Sequence, residues 1–523
     1  MTSVPKPSVT LQVFLCSATR SLGLVCLDCR TSSLRLDLKA VIWGTKLVER
    51  KVRDAHSHSH TCCCSMFGEL MRKIPGNDHF RGRAEYTTIV KHFLGRRWYL
   101  ASLIGLNCAL QSLNVVSIIQ SAQVTDTAIA AIFVKSCSLN LTPFKNFWTD
   151  DNGQEHYVNH SDNFFSCFDV NDRSQGNAWG CHVVISVGYV LVLLMAVPCS
   201  MWNLDDNVAI QVVCLILGVF FMIAWAVISM VSYSSMEHDG LSSLKAINSS
   251  PALGSQAGVL GSILFNWNVL TTVPSWINER KPNISVNKTL WCSTTFCVMM
   301  YLFISLAGAT AFADVLQGPV TGTCARQLRD PAFNCPNDLM QVMTRGHLIE
   351  ADWRQGAVMN VLIQFSVYMF PIVGEVSSIV VFSIVIKYNL VENGFSKTFS
   401  NVFGIALPWM VSLPVLYMPN IVAQFINFTS LIFVTFANFV VPLAMYAILQ
   451  IRELREGPPK DDVTPLGVHE HHAFPLRWGP MTKAVLAVSM SVLLTLGSLV
   501  AIVLSVQEGN YTINQQVCAL VGS

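Results

Sequence analysis

Residues 257–277 read AGVLGSILFNWNVLTTVPSWI, an apolar run that carries Asn266, Asn268, Thr271, Thr272 and Pro274 in its second half. Roughly 20 apolar residues in helical form cross a bilayer, and the hydrocarbon core holds no water for a backbone group that leaves its helix. A segment that abandons its own hydrogen bonds at that depth has to line a cavity enclosed by protein. Discontinuous helices of this kind form the midplane solute sites of secondary transporters, because freed N–H and C=O groups meet the charged ends of a small solute. The same residues also fit a proline-kinked packing helix with no ligand.

The rest of the chain places this run in a membrane. Of 523 residues, 52% are hydrophobic and 13% charged, against about 25% charged in an ordinary soluble protein, and the mean hydropathy is +0.46. Nine runs are long enough to span: 98–119, 181–198, 207–232, 257–277, 289–313, 356–386, 399–419, 421–450 and 484–506. The fold class is therefore an all-α polytopic membrane protein. A net charge of +2 argues against a nucleic-acid partner. Neither a Walker-type phosphate loop nor a GxSxG elbow occurs, which argues against ATP-driven transport and hydrolase chemistry. No enzymatic activity and no cofactor are expected.

Loop charge sets orientation. Loops 76–97, 278–288, 387–397 and 451–483 together hold 15 Lys and Arg, against 8 in 120–180, 234–255, 315–355 and the tail 507–523. The first group is read as cytoplasmic. Sequons at Asn140, Asn159, Asn248 and Asn510 fall on the opposite side, as expected of a glycoprotein, although two more at Asn283 and Asn287 fall in a loop read as cytoplasmic. The expected location is the plasma membrane or a vacuolar or lysosomal membrane. Cys137 with Cys167, and Cys324 with Cys335, share loops on the oxidising side and are candidate disulfides. Cys108, Cys181, Cys214 and Cys297 lie in or beside spans and read as small hydrophobes.

Residues 1–65 differ in character from the remainder of the chain. They are basic and irregular, and they end in HSHSHTCCCS. They make neither a spanning helix nor a signal peptide. The His and Cys cluster from His56 to Cys64 has the ligand types for a metal, but it reads better as a low-complexity tail. After Met66 the stretch GELMRKIPGNDHF reads as the end of a helix followed by a Pro-Gly-Asn turn.

Several spans carry polar residues. Asn107, Gln111, Asn114 and Ser121 fall within about 80° of one another at 100° per residue, forming one stripe that either lines a cavity or glues the bundle. Glu375, in YMFPIVGEVSSIVVF, is read as the only acidic residue well inside an apolar run. It is either a proton-coupling carboxyl or a protonated side chain bonded to a backbone carbonyl. Ser377 and Ser378 beside it offer hydroxyls to a cation such as sodium. Asn427, Thr429, Ser430, Thr435 and Asn438 read as packing contacts. Asp205 and Asp206 read as helix-start residues.

From about Met66 to Val506 the chain resembles the amino acid/auxin permease family of the amino acid, polyamine and organocation superfamily. The likeness is carried by IPGN (74–77), PCSMWNLDDN (198–207), FNWNVLTTVPSWINER (265–280), FSIVIKYNLVENG (382–394), LPWMVSLP (407–414) and INFTSLIFVTFANFVVP (426–442), in order and at the right spacing. The resemblance implies a LeuT-like bundle whose first five helices repeat, inverted, as the second five, with an eleventh added. This chain would hold about 10–11 of them as a transporter domain over 66–506, with a short extracytoplasmic tail at 507–523. It implies that 257–277 is the sixth helix, unwound so that Asn266 to Thr272 receive an amino acid's amino group or carboxylate. It also implies that Glu375 to Ser378 sit near the coupling ion, and that Pro274, Asn278 and Glu279 form a Pro then Asn-Glu signature at the cytoplasmic end. The implied function is secondary-active amino acid transport, by proton- or sodium-coupled symport or by exchange. An amino-acid-sensing receptor on the same fold is the alternative. The family's Gly-rich first helix is absent from 1–65, and the expectation is a start taken from a misassigned upstream exon, with a degenerate paralogue as the alternative.

Overall fold

The structure is a computed structural model that describes residues 65–77, 80, 82–133, 135–141, 146–149, 155–158, 165–169, 183–235, 264–265, 268–279, 285–316, 357–416, 421–456 and 478–507. Residues 1–64 with their His and Cys cluster, Asn266, the Cys324 and Cys335 pair, the sequons at Asn159, Asn248, Asn283 and Asn510, and the tail beyond 507 lie outside the described residues.

The described residues are mostly helical, and among them seven helices are long and apolar enough to cross a membrane. It is an integral membrane protein. Helix α1 covers 65–72 and ends at the turn read from the sequence. Gly76 takes a positive φ of 81° there, and the Asn77 amide donates to Met71 O at 2.9 Å while accepting from Gly82 N at 3.0 Å. Helix α2 (Tyr86–Leu94) is short and amphipathic, burying Tyr86, Ile89, Val90 and Phe93. Helix α3 (Arg96–Phe133) has 38 residues, about 57 Å at 1.5 Å per residue. That is longer than the roughly 30 Å hydrocarbon core, so its far end leaves the membrane and runs into strand β1 (Lys135–Asn140).

The all-α expectation is corrected at that point. Strands β1, β4 (Phe165–Asp169) and β5 (Val184–Ser186) form an antiparallel sheet in the order β4-β1-β5, and β2 (Asn146–Thr149) pairs with β3 (Glu155–Val158). Cys137 lies directly opposite Cys167 in the β1 and β4 register, and the two are joined as a disulfide. Loop 120–180 contains no long apolar run, so hydropathy could locate it but carried no sign of strand pairing.

Helix α4 (Val187–Met201) starts at the end of β5 and packs closely on α3. A Cβ on Gly188 would stand 2.6 Å from Ala122 O and 2.8 Å from the Asp126 carboxyl carbon, so only glycine permits the approach. Helices α5 (Val208–Ser235) and α7 (Val286–Leu316) form a second apolar layer around Trp225, whose indole donates to Ser366 Oγ at 2.9 Å. Helix α8 (Ala357–Glu392) joins this layer to the main core built from α1, α2, α3, α4 and α10. Helix α9 (397–415) carries a π-helical turn at Val402–Ala406. Helix α10 (421–456) carries two, at Ser430–Val434 and Phe436–Val440. Helix α11 (Pro480–Gln507) packs on α10 and leaves a broad apolar face exposed, including Val488, Val492, Leu496 and Val503.

Two further expectations change. Lys387 belongs to α8, not to a loop. Its ammonium donates to the carbonyls of Ser200, Met201 and Trp202 at 3.2–3.5 Å, where the end of α4 leaves orphan acceptors. Among the described residues the carboxylates of Asp205 and Asp206 accept no hydrogen bond from α5; only the Asp205 carbonyl does, from Val208 N at 3.4 Å. Asn207 organises the turn instead, donating to Cys199 O and Asn203 O at 3.0 Å each.

Candidate binding site at the broken helix

The described part of 257–277 is not one helix. Residues 264–265 are helical, 268–269 form a turn, Leu270–Thr272 form a 3-10 turn, and the regular helix α6 resumes at Val273–Glu279. Pro274 sits in the first turn of α6, where a missing N–H costs least. Thr272 closes the 3-10 turn twice, its N–H and its hydroxyl both donating to Val269 O at 3.0 and 2.8 Å.

The break is held from across the bundle by Asn438, in the second π-helical turn of α10. A backbone N–H only donates, so the Thr271 N–H at 3.2 Å requires the oxygen of Asn438. The Asn438 NH2 then faces Val434 O at 3.1 Å and the oxygen of Asn268. That contact, with the Thr271 hydroxyl donating at 3.1 Å, commits the Asn268 oxygen. The Asn268 NH2 is consequently turned away from both partners. Asn268 is 1% exposed and, among the described residues, this NH2 has no hydrogen-bond partner. A buried amide left so costs about 1–3 kcal/mol, and any acceptor supplied by a ligand recovers it. Thr271, Thr272 and Asn438 are buried beside it. Sequence reading placed Asn438 among packing residues; the π-helical turn that positions it, nominally a functional marker, has no signature in hydropathy.

The stripe on α3 is not part of this group. Asn107 donates to Leu103 O in its own helix at 2.7 Å, Gln111 to Phe403 O in the π turn of α9 at 2.6 Å, and Asn114 to Ser383 Oγ on α8 at 3.4 Å. Among the described residues none of the three bonds to the broken helix. Gln111 and Asn114 tie helices together, and Asn107 bonds within its own. On α8, Glu375 is fully buried. Ser377 and Ser378 both donate to Gly374 O, at 2.9 and 3.0 Å, so their hydroxyl protons are used within the helix. Gln211 of α5 donates to Ser377 O at 3.2 Å.

The far end of α6 is fastened to the entry of α2. Ser275 Oγ donates to Glu85 Oε2 at 2.6 Å and Asn278 Nδ2 to Glu85 Oε1 at 3.0 Å. Asn278 also exchanges bonds with the Ala84 backbone, and Glu279 pairs with Arg83 at 3.0 Å. Burial pushes the Glu85 carboxyl above its ordinary value, against the hydrogen bonds from Ser275 and Asn278; Glu392 adds to the rise and Arg83 opposes it. Asn278 and Glu279 stood out in the sequence, but Glu85 did not, because it precedes its partners by about 190 positions. Asp126 was missed as well. It is buried in α3 and accepts from Ser136 Oγ at 3.0 Å and Gly188 N at 2.8 Å, so Glu375 is not alone as a buried acid within a long helix.

No protein-family model matches the chain, and no curated protein matches it.

Proposed function

We propose that the chain is a secondary-active amino acid transporter working by alternating access on a LeuT-like inverted-repeat bundle. The observation that carries this is the Asn268 NH2, buried without a partner among the described residues at a helix break inside a membrane protein. A packing kink has no use for an orphan donor, whereas a solute carboxylate satisfies it. In this reading the Thr271 and Thr272 region shapes the site and Asn438 positions Asn268. The half-helix α6 rocks with the bundle, and the fastening of α6 at Glu85 closes the cytoplasmic side. Glu375 carries the coupling proton, or the oxygens of Ser377 and Ser378 receive sodium. Either would use polar groups that a membrane helix otherwise excludes.

The test is uptake of radiolabelled amino acids by proteoliposomes holding the purified full chain, under an imposed proton or sodium gradient. Accumulation that collapses with one gradient supports the proposal and names the ion. Saturable binding without accumulation under either gradient would replace it with the sensing receptor.

A further inference from the structure

We propose that the junction of α2, α3 and α10 binds the phosphate headgroup of an anionic phospholipid in the adjacent leaflet. Five cations stand at these helix ends: Lys91 at the end of α2, Arg96 and Arg97 at the start of α3, and Arg452 and Arg455 at the end of α10. Two contacts join the helices at this level. The Arg452 guanidinium donates to Phe93 O at 3.4 Å and lies 5.7 Å from the centre of the Phe93 ring, and the Lys91 ammonium lies 5.5 Å over the Tyr99 ring. Among the described residues no carboxylate is within ion-pair distance of any of the five. The acid between the two α10 arginines, Glu453, pairs with Lys73 at 3.4 Å. Burial and the neighbouring Arg452 hold His92 below its ordinary value, so it stays neutral at physiological pH.

Helical phase decides that these cations face the bilayer edge. At 100° per residue, 96, 97, 100 and 104 fall within about 100° of one another. Leu100 and Ile104 are 51% and 62% exposed, and on a membrane helix such side chains face lipid. Arg96 and Arg97 continue that stripe one turn further toward the basic side. On α10, Ile451 at 44% exposure shares a face with Arg455 in the same way. Trp98, 43% exposed, and Tyr99 are the aromatic residues expected at headgroup depth. Guanidinium groups grip phosphate oxygens in pairs, so a lipid phosphate at this level meets several donors together.

The experiment titrates fluorescent phosphatidylserine into the purified full chain, with phosphatidylcholine as reference and inorganic phosphate as competitor. Each Lys or Arg near an anionic surface is worth about fivefold in binding. The exposed triple change Arg96→Gln, Arg97→Gln and Arg455→Gln should therefore weaken phosphatidylserine about a hundredfold. Lys288→Gln, an exposed cation on α7, should leave it unchanged. Equal affinity for the two lipids, or for wild type and the triple variant, would overturn the proposal. Displacement of phosphatidylserine by millimolar inorganic phosphate would also overturn it, making the site one for a free anion.

Discussion

Replacing Asn268 and Asn438 by leucine separates a residue that binds from one that positions. In Asn268→Leu the partnerless NH2 disappears, relieving a penalty of about 1–3 kcal/mol. The two bonds accepted by its oxygen are lost, at about 1 kcal/mol each. The terms nearly cancel, so thermal stability should stay close to wild type. Ligand binding should not. A hydrogen bond to a charged group is worth about 1.5–3 kcal/mol, which predicts affinity about 10- to 150-fold weaker. Asn438→Leu removes two donated bonds and strands the buried Thr271 N–H, costing roughly 3–5 kcal/mol. Melting temperature and affinity should then fall together. Because the two side chains act in one network, the double variant should bind no more weakly than Asn268→Leu. The assay pairs thermal melting with equilibrium binding of whichever amino acid the wild type accumulates, and tracks exchange of the Thr271 amide. Normal affinity in Asn268→Leu would refute the site. An unchanged Thr271 exchange rate in Asn438→Leu would refute the positioning role.

Three other outcomes are expected. Glu85 has a carboxyl raised in the folded state, so the stability it contributes is complete below the ordinary carboxylate value and is lost as pH rises through the raised one. Melting in a pH series should show that loss in wild type and not in Glu85→Gln, whereas Glu85→Ala should speed amide exchange over 273–279 by about tenfold, having lost both bonds to α6. Reducing the disulfide between Cys137 and Cys167 should cost about 2–4 kcal/mol of stability in the β4-β1-β5 sheet, read by melting with and without an impermeant phosphine. Glu375→Gln, which holds the neutral form, should abolish proton-driven accumulation while sparing exchange. Intact pH-dependent uptake in that variant would transfer coupling to the oxygens of Ser377 and Ser378.

What could be read along the chain was whatever depends on neighbours in sequence. Apolar runs located the long helices because burying each backbone group in lipid requires some 20 apolar residues in helical form. The turn after α1 was legible because Pro75, Gly76 and Asn77 act within a few residues. The break before α6 was legible because Asn268, Thr271, Thr272 and Pro274 oppose a continuous membrane helix. Helix ends were less certain: Lys387 looked like a loop residue because a charge lowers local hydropathy, and its compensation by the carbonyls at the end of α4 lies 185–187 positions away.

Hydropathy and backbone satisfaction are local constraints, so the order of residues was enough to establish a membrane protein of many helices with one polar break in an apolar run. The use made of each polar group came from the packing. Packing committed the donors of Gln111 and Asn114 to ties between helices and that of Asn107 to its own helix, bound Glu85 to Ser275 and Asn278, and set Asn438 opposite Asn268 across 170 positions. An amide or a carboxyl becomes a structural tie or an open site according to which partner reaches it, and that partner is chosen by how the helices meet.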